Sequence, residues 1–224
     1  MTKALLLDIE GTLAPLSFVK EVMFPYSRER LGAFLREHWD EPFLKEIVKE
    51  AEEISGRELK TPEEAERLFS EWIDRDLKLA PLKELQGHLW EEGFKTGALV
   101  APVYEDACRK LKEWKEKGLK LFVYSSGSVK AQKLFFSHSD CGDLTPLFDG
   151  FFDTRVGSKK ESSSYEKIAR LTGFKPEEIL FISDNPEELE AARKAGLKVL
   201  QSVREGVTPD GRFSQIRSFE EIEP

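Results

Sequence analysis

Leu5-Leu6-Leu7-Asp8-Ile9-Glu10-Gly11-Thr12 is an apolar run near the start of the chain that delivers two carboxylates and breaks at a glycine. Such a run reads as a buried strand of a parallel sheet. In open α/β sheets the ligand crevice lies beyond the C-terminal ends of the strands, so the two acids fall where such folds do their chemistry. Alternation along the strand predicts Asp8 and Glu10 on one side and Ile9 on the other, and Gly11 lets the backbone turn sharply and approach a bound group. Two crowded carboxylates with no arginine beside them repel each other, and a bound cation is the usual remedy. Taken by itself, acid-x-acid-Gly also suits a strand that merely runs into a polar turn.

Composition narrows the classes. A chain of 224 residues accommodates one large α/β domain or a core with a smaller insert. The apolar content of 40% is ample for a core, and 34% charged residues with a net charge of −8 imply well-solvated helices. That charge argues against nucleic acid or an anionic membrane as a partner, so an anionic substrate needs local positive charge. The two cysteines, Cys108 and Cys141, are far apart and in no metal spacing. They predict no disulfide framework and suit a reducing cytoplasm. No apolar stretch reaches transmembrane length, and Met1-Thr2-Lys3 runs directly into the first strand without a signal peptide. The expectation is a cytoplasmic, monomeric protein.

After Leu13-Ala14-Pro15 the character changes. Residues 17–101 carry apolar side chains at helical spacing, such as Leu31, Phe34, Leu35 and Leu68, Phe69, Trp72, Ile73. Breaks fall at Ser55-Gly56, at Thr61-Pro62 with Glu64 completing a capping box, and at Ala80-Pro81. From Pro102 strands alternate with helices. Helices are predicted at Glu105–Glu116, Val129–Ser137, Ser163–Thr172 and Glu187–Ala195, and strands at Lys120–Tyr124, Gly150–Asp153, Glu178–Ser183 and Lys198–Val203. The expected organisation is a core of residues 1–16 and 102–224 with a helical insert, 17–101, placed directly after the two acids. An insert there is positioned to act as a lid, hinged at Leu13-Ala14-Pro15 and Val100-Ala101-Pro102.

Three further polar clusters follow apolar strands, and in a parallel sheet all such ends share one edge. Ser125-Ser126-Gly127-Ser128 offers hydroxyls and backbone N–H groups at a helix start, an anion site, while Ser128 also reads as an N-cap. Gly157-Ser158-Lys159-Lys160-Glu161-Ser162 supplies a lysine pair; a lysine pair on a loop is commonly solvated surface, but two acids, a cation and a phosphate require a fixed positive charge. In Ser183-Asp184-Asn185-Pro186-Glu187-Glu188, Asn185 reads as the N-cap, Pro186 as the first helical residue and Glu188 as reaching back to the cap. Asp184 is then free to bind a metal, and hard oxygen ligands favour magnesium.

These four loops, in this order, resemble the four motifs of the haloacid dehalogenase superfamily of phosphohydrolases, and the position of the helical cap matches as well. The resemblance implies a haloacid dehalogenase-like Rossmannoid parallel-sheet α/β core with an all-helical cap domain after the first strand. It also implies Asp8 as the nucleophile that forms an aspartyl-phosphate, Glu10 as general acid/base, and Ser125, Ser126 and Lys159 as phosphoryl-binding groups. The implied Mg2+ site comprises Asp8, Asp184 and residue Glu10 through its backbone carbonyl. Within the superfamily, Asp8-Ile-Glu-Gly-Thr12, Ser17-Phe-Val-Lys20, Phe24-Pro-Tyr26, Leu85-Gln-Gly-His88, Tyr124-Ser-Ser-Gly-Ser128-Val-x-Ala-Gln132 and Phe152-Asp-Thr154 together look like the enolase-phosphatases of methionine salvage. That family enolises 2,3-diketo-5-methylthiopentyl-1-phosphate and then removes phosphate to give the acireductone. Lys159 rather than Lys160 fits the family's Gly-x-Lys-x-Glu-Ser string, whereas Ser183-Asp184-Asn185 departs from its common Thr-Asp-Val. Phe18, Phe24 and Tyr26 are candidates either for contact with an apolar substrate tail or for packing. The rival readings are a haloacid dehalogenase-type phosphatase acting on another phosphate monoester, a metal-free dehalogenase, against which Glu10 and Asp184 argue, and a catalytically silent binding fold.

Overall fold

The computed structural model describes all residues, Met1–Pro224. It divides into two compact units, Met1–Phe18 with Val100–Pro224, and Val19–Leu99.

The first unit is built on six parallel strands: β1 (Ala4–Leu7), β2 (Lys120–Tyr124), β3 (Gly150–Phe152), β4 (Ile179–Ser183), β5 (Lys198–Ser202) and β6 (Gln215–Ile216), in the spatial order β3-β2-β1-β4-β5-β6. Every residue of β1 and β4 is buried, as expected where helices cover both faces of a parallel sheet. On one face Ala4, Leu6, Phe122, Tyr124 and Phe181 pack with Tyr165, Ile168 and Leu189 of helices α7 (Ser162–Thr172) and α8 (Pro186–Lys194). Leu5 and Leu7 point the other way and are equally inaccessible. Helices α5 (Glu105–Glu116) and α6 (Val129–Ser137) complete the alternation.

Predicted and observed elements differ at three points. The first strand stops at Leu7, so Asp8 and Glu10 lie beyond it, in a tight turn where the N–H groups of Thr12, Leu13 and Ala14 converge on the Ile9 carbonyl. Strand alternation therefore does not set their directions. The short edge strand β6 has no sequence signal at two residues. Cys108 and Cys141, expected to be independent thiols, form a disulfide with a Cα–Cα distance of 6.4 Å; the return of the chain after α6 brings Cys141 back to α5, a proximity that a separation of 33 residues hides.

The second unit is helical: a π-helical turn at Val19–Met23, then α1 (Phe24–His38), α2 (Pro42–Ser55), α3 (Pro62–Asp74) and α4 (Ala80–Lys95). Its own core joins Leu31, Leu35, Leu44, Phe69, Trp72 and Leu85. The predicted box at the start of α3 is present, with Thr61 Oγ1 accepting from Glu64 N and Glu64 Oε2 accepting from Thr61 N, while Gly56 ends α2 in the left-handed conformation at φ +67°. Phe18 is buried edge-on against Phe135, and Phe24 lies edge-on to Trp90. No helix is long and apolar enough to cross a membrane.

Candidate active site

Strand register assembles the site. Leu7 pairs with Val123 on one side and Ile182 on the other, so the next residues, Asp8, Tyr124 and Ser183, are level at the C-terminal edge, and Asp8 N donates to Ile182 O at 3.1 Å. Asp8 is 5% exposed. Its Oδ1 accepts from Lys159 Nζ at 2.6 Å, and the same ammonium lies 2.8 Å from Glu188 Oε2. Ser183 Oγ sits 3.3 Å from Asp8 Oδ2 and 3.0 Å from Glu188 Oε2. A hydroxyl has one proton to give, so Ser183 serves one carboxylate at a time while accepting from Asn185 N.

Lys159 reaches this point because its loop is fastened from below. Tyr165 Oη donates to Lys159 O at 2.6 Å, Tyr124 Oη to Gly157 O at 2.9 Å, and Ser164 Oγ to Ser158 O at 2.7 Å. Gly157 adopts φ +151°, and a Cβ there would lie 2.2 Å from Ser164 Oγ, so the loop admits no side chain at that position. Lys160 instead points outward and pairs with Glu187. Asp184 approaches across the turn after β1: Gly11, at φ +72°, leaves room that a Cβ would take to within 2.8 Å of the Asp184 carboxyl carbon.

The electrostatics follow from crowding. Burial and the Asp8 charge push Asp184 up to about 7, helped by a hydrogen bond shared with Asp8. Burial, then Asp8, also raises Glu10 and Glu188, with Lys159 opposing in both. Burial works against the Lys159 charge, but Asp8 and Glu188 more than offset it, and the ammonium is held above its ordinary range. Four carboxyl groups, those of Asp8, Glu10, Asp184 and Glu188, thus share one neighbourhood with a single ammonium.

Of the sequence-predicted residues, the structure joins Asp8, Glu10, Lys159 and Asp184 in this cluster. Ser125 is buried one residue past Tyr124, just beyond the end of β2, the strand next to β1, with Ser125 N donating to Phe152 O; Ser126 beside it is exposed. Glu188 does not reach back to the helix cap: Asn185 Oδ1 caps α8 alone, accepting from Glu187 N, and Glu188 turns inward because Lys159 offers a buried carboxylate a partner that the exposed cap does not. Ser183, Glu188 and Tyr165 were not singled out as site residues. Their only signal is position, one step before Asp184, four after it, and six after Lys159.

A parallel sheet whose strand ends gather carboxylates, a lysine and a serine loop defines a phosphohydrolase-type site. Residues 2–196 match the model of haloacid dehalogenase-like hydrolases, and the chain belongs to that family. Its curated relatives include proteins named Enolase-phosphatase E1 from Aquifex aeolicus (67% identical, 100% of both chains covered), Persephonella marina (56%, 99% of both) and Methylococcus capsulatus (46%, 100% of this chain and 99% of that one). The chain is accordingly a phosphatase of the enolase-phosphatase kind. Among solved structures, the Unknown transcript 4 protein of Saccharomyces cerevisiae superposes with a TM-score of 0.87 at 35% identity, covering 99% of this chain and all of that one. The phosphate complex of CbbY from Rhodobacter sphaeroides shares the fold, with a TM-score of 0.65 at 19% identity over 99% of this chain and 96% of that one.

Proposed function

We propose that the chain converts 2,3-diketo-5-methylthiopentyl-1-phosphate to the acireductone in two stages, enolisation and then removal of phosphate through an aspartyl-phosphate on Asp8. The observation that carries the reading is the Asp8–Lys159 pair at 2.6 Å, flanked by Asp184 and Glu188 at one sheet edge, in a chain whose full-length relatives bear the enolase-phosphatase name.

Asp8 Oδ attacks phosphorus as the P–O bond to carbon 1 of the substrate breaks. Glu10, whose pKa is raised by burial and by Asp8, gives its proton to the departing oxygen. Water then attacks the phosphorus of the aspartyl-phosphate, Glu10 takes its proton, and Asp8 is released as a carboxylate. Lys159, 2.6 Å from Asp8 Oδ1, orients the nucleophile and balances phosphoryl charge during transfer, with Ser125 and Ser126 offering hydroxyls and N–H groups to the phosphate oxygens.

The donor set fits a magnesium ion: the carboxyls of Asp8, Glu10, Asp184 and Glu188 gather around a single ammonium, and burial together with the Asp8 charge raises the pKa of Asp184, an oxygen-rich and negatively charged cluster of the kind that suits a hard divalent cation. Asp8, Asp184 and the Glu10 carbonyl would hold it. When bound, it supplies charge neutralisation for phosphoryl transfer and for an enolate oxygen. The helical unit is read as the cap, and the protein as a cytoplasmic monomer without nucleic-acid or membrane partners.

The test is turnover of the diketone phosphate, with magnesium and with a chelator, set against phosphoglycolate and a sugar phosphate. A kcat/KM for the diketone that does not exceed the others assigns a different monoester, and activity unchanged by chelator removes the metal.

A further inference from the structure

Two strings in the sequence lie outside the catalytic cluster, Val129-x-Ala-Gln132 and Phe152-Asp-Thr154, and the structure brings them to one place, the root of the 125–128 loop. Gln132, on the first turn of α6 and 2% exposed, donates from Nε2 to two backbone carbonyls, Gly127 O and Phe152 O, each at 2.8 Å. Phe152 O also accepts from Ser125 N at 3.1 Å, so one carbonyl at the end of β3 holds both ends of the bond chain. Beside it, Asp153 Oδ2 accepts from Val129 N, an N–H that α6 itself leaves without a partner, at 3.1 Å. Asp153 is held in turn by the Arg155 guanidinium, bidentate with Nε donating to Oδ1 at 3.1 Å and Nη2 to Oδ2 at 2.8 Å.

The Gln132 amide has only one workable orientation. Turned over, it would press Oε1 against two carbonyl oxygens at 2.8 Å. As it stands, Oε1 is buried with no hydrogen-bond partner, an unfavourable state for a buried acceptor. A glutamine that leaves its acceptor empty in order to donate twice is serving those two carbonyls. Glutamine is also the side chain that can do so without charge: a glutamate would set a carboxylate against both, and an asparagine is one methylene too short.

We propose that Gln132 is a positioning residue for phosphate binding: it clamps Gly127 to the end of β3 and so fixes the Ser125–Ser128 backbone in the conformation that receives the phosphoryl group. The inference rests on the reading that Ser125 and its neighbours bind that group. Gln132 itself touches no substrate; it acts through the loop, as groups that preorganise a donor array do.

The experiment compares Gln132→Met, which keeps the volume and removes the donor, with Gln132→Glu, which keeps the shape and reverses the polarity, and with Ser125→Ala. Competitive inhibition by inorganic phosphate is measured alongside kcat, KM and thermal midpoint. For both Gln132 variants the inhibition constant for phosphate and KM are expected to rise at least about tenfold, the scale of losing two hydrogen bonds. That rise is expected with the chain still folded and its thermal midpoint above the assay temperature. A purely structural role would lower the midpoint and leave the phosphate constant of the folded enzyme where it was. A wild-type phosphate constant in folded Gln132→Met overturns the clamp, and where Met does not fold, a wild-type constant in Gln132→Glu does so. If Ser125→Ala also binds phosphate like the parent, the phosphate reading of the loop fails and the clamp with it; if Ser125→Ala is impaired and the Gln132 variants are not, the clamp alone fails.

Discussion

At the scale of single residues, the Asp8–Lys159 contact divides two neighbouring lysines into different roles. Lys159→Ala removes the only ammonium in a cluster of four carboxyls, and a loss of kcat/KM of about a hundredfold or more is expected. Lys160→Ala breaks only an exposed pair with Glu187 and should leave kcat/KM within about twofold. Equal losses would reassign the phosphate-binding lysine. Asp8→Asn keeps the size of the side chain but cannot form the acyl-phosphate, so turnover should fall below about a thousandth of the parent while far-UV circular dichroism is unchanged. Residual phosphatase activity of several per cent would remove Asp8 as nucleophile. Asp184 sets a pH dependence. Its folded-state pKa, about 7, lies above the ordinary value of 3.8, so between those limits the folded chain binds more protons than the unfolded one, and stability falls as pH rises through that window. Magnesium competes with that proton. The gain in thermal midpoint on adding Mg2+ should therefore be larger at pH 7.5 than at pH 5, and a gain independent of pH would dissociate Asp184 from the metal.

At the scale of elements, local rules explain most of what the sequence showed. Thr61 and Glu64 close the α3 box because both are short-range signals three residues apart. Thr61→Ala should lower stability by about 1 kcal/mol without altering kcat/KM, as chemical denaturation and an assay would show together. The strands after Pro102 and the helices between them were legible for the same reason, each being an apolar or amphipathic run bounded by turn chemistry. What could not be read is what depends on approach in space. Glu188 looks like a capping acid by spacing and becomes a buried partner of Lys159 only once β1 and β4 are neighbours. Asp8 and Glu10 come together at the Lys159 cluster through the turn after Leu7, where the strand ends, and not through strand alternation. Gln132 and Asp153 carry no general chemical signature at all; their task is defined by carbonyls and N–H groups of another segment.

At the scale of the whole molecule, the Cys108–Cys141 bond closes a loop that contains β2, the 125–128 loop and α6. For a separation of 33 residues, chain-entropy reasoning gives a stabilisation of about 3–4 kcal/mol. Cys141→Ser should lower the denaturation midpoint accordingly, and the same loss should follow from reductant in the parent and be absent in the variant. A parent indifferent to reductant would mean that the two sulfurs do not stay bonded in solution.

The placement of β1 bears on how the chain is made. This central strand precedes both of its partners in the chain by more than a hundred residues, since they begin only at Lys120 and Ile179. The helical unit that follows has its own core and is complete at Leu99. During translation the insert is therefore able to fold while four buried apolar residues upstream of it wait for neighbours not yet synthesised. The catalytic end of the sheet closes late, when Ser183 and Asp184 emerge. A chain released before that point would present a finished helical bundle and a first strand whose β4-side edge has no partner, the kind of exposed edge that chaperones shield and proteases clear.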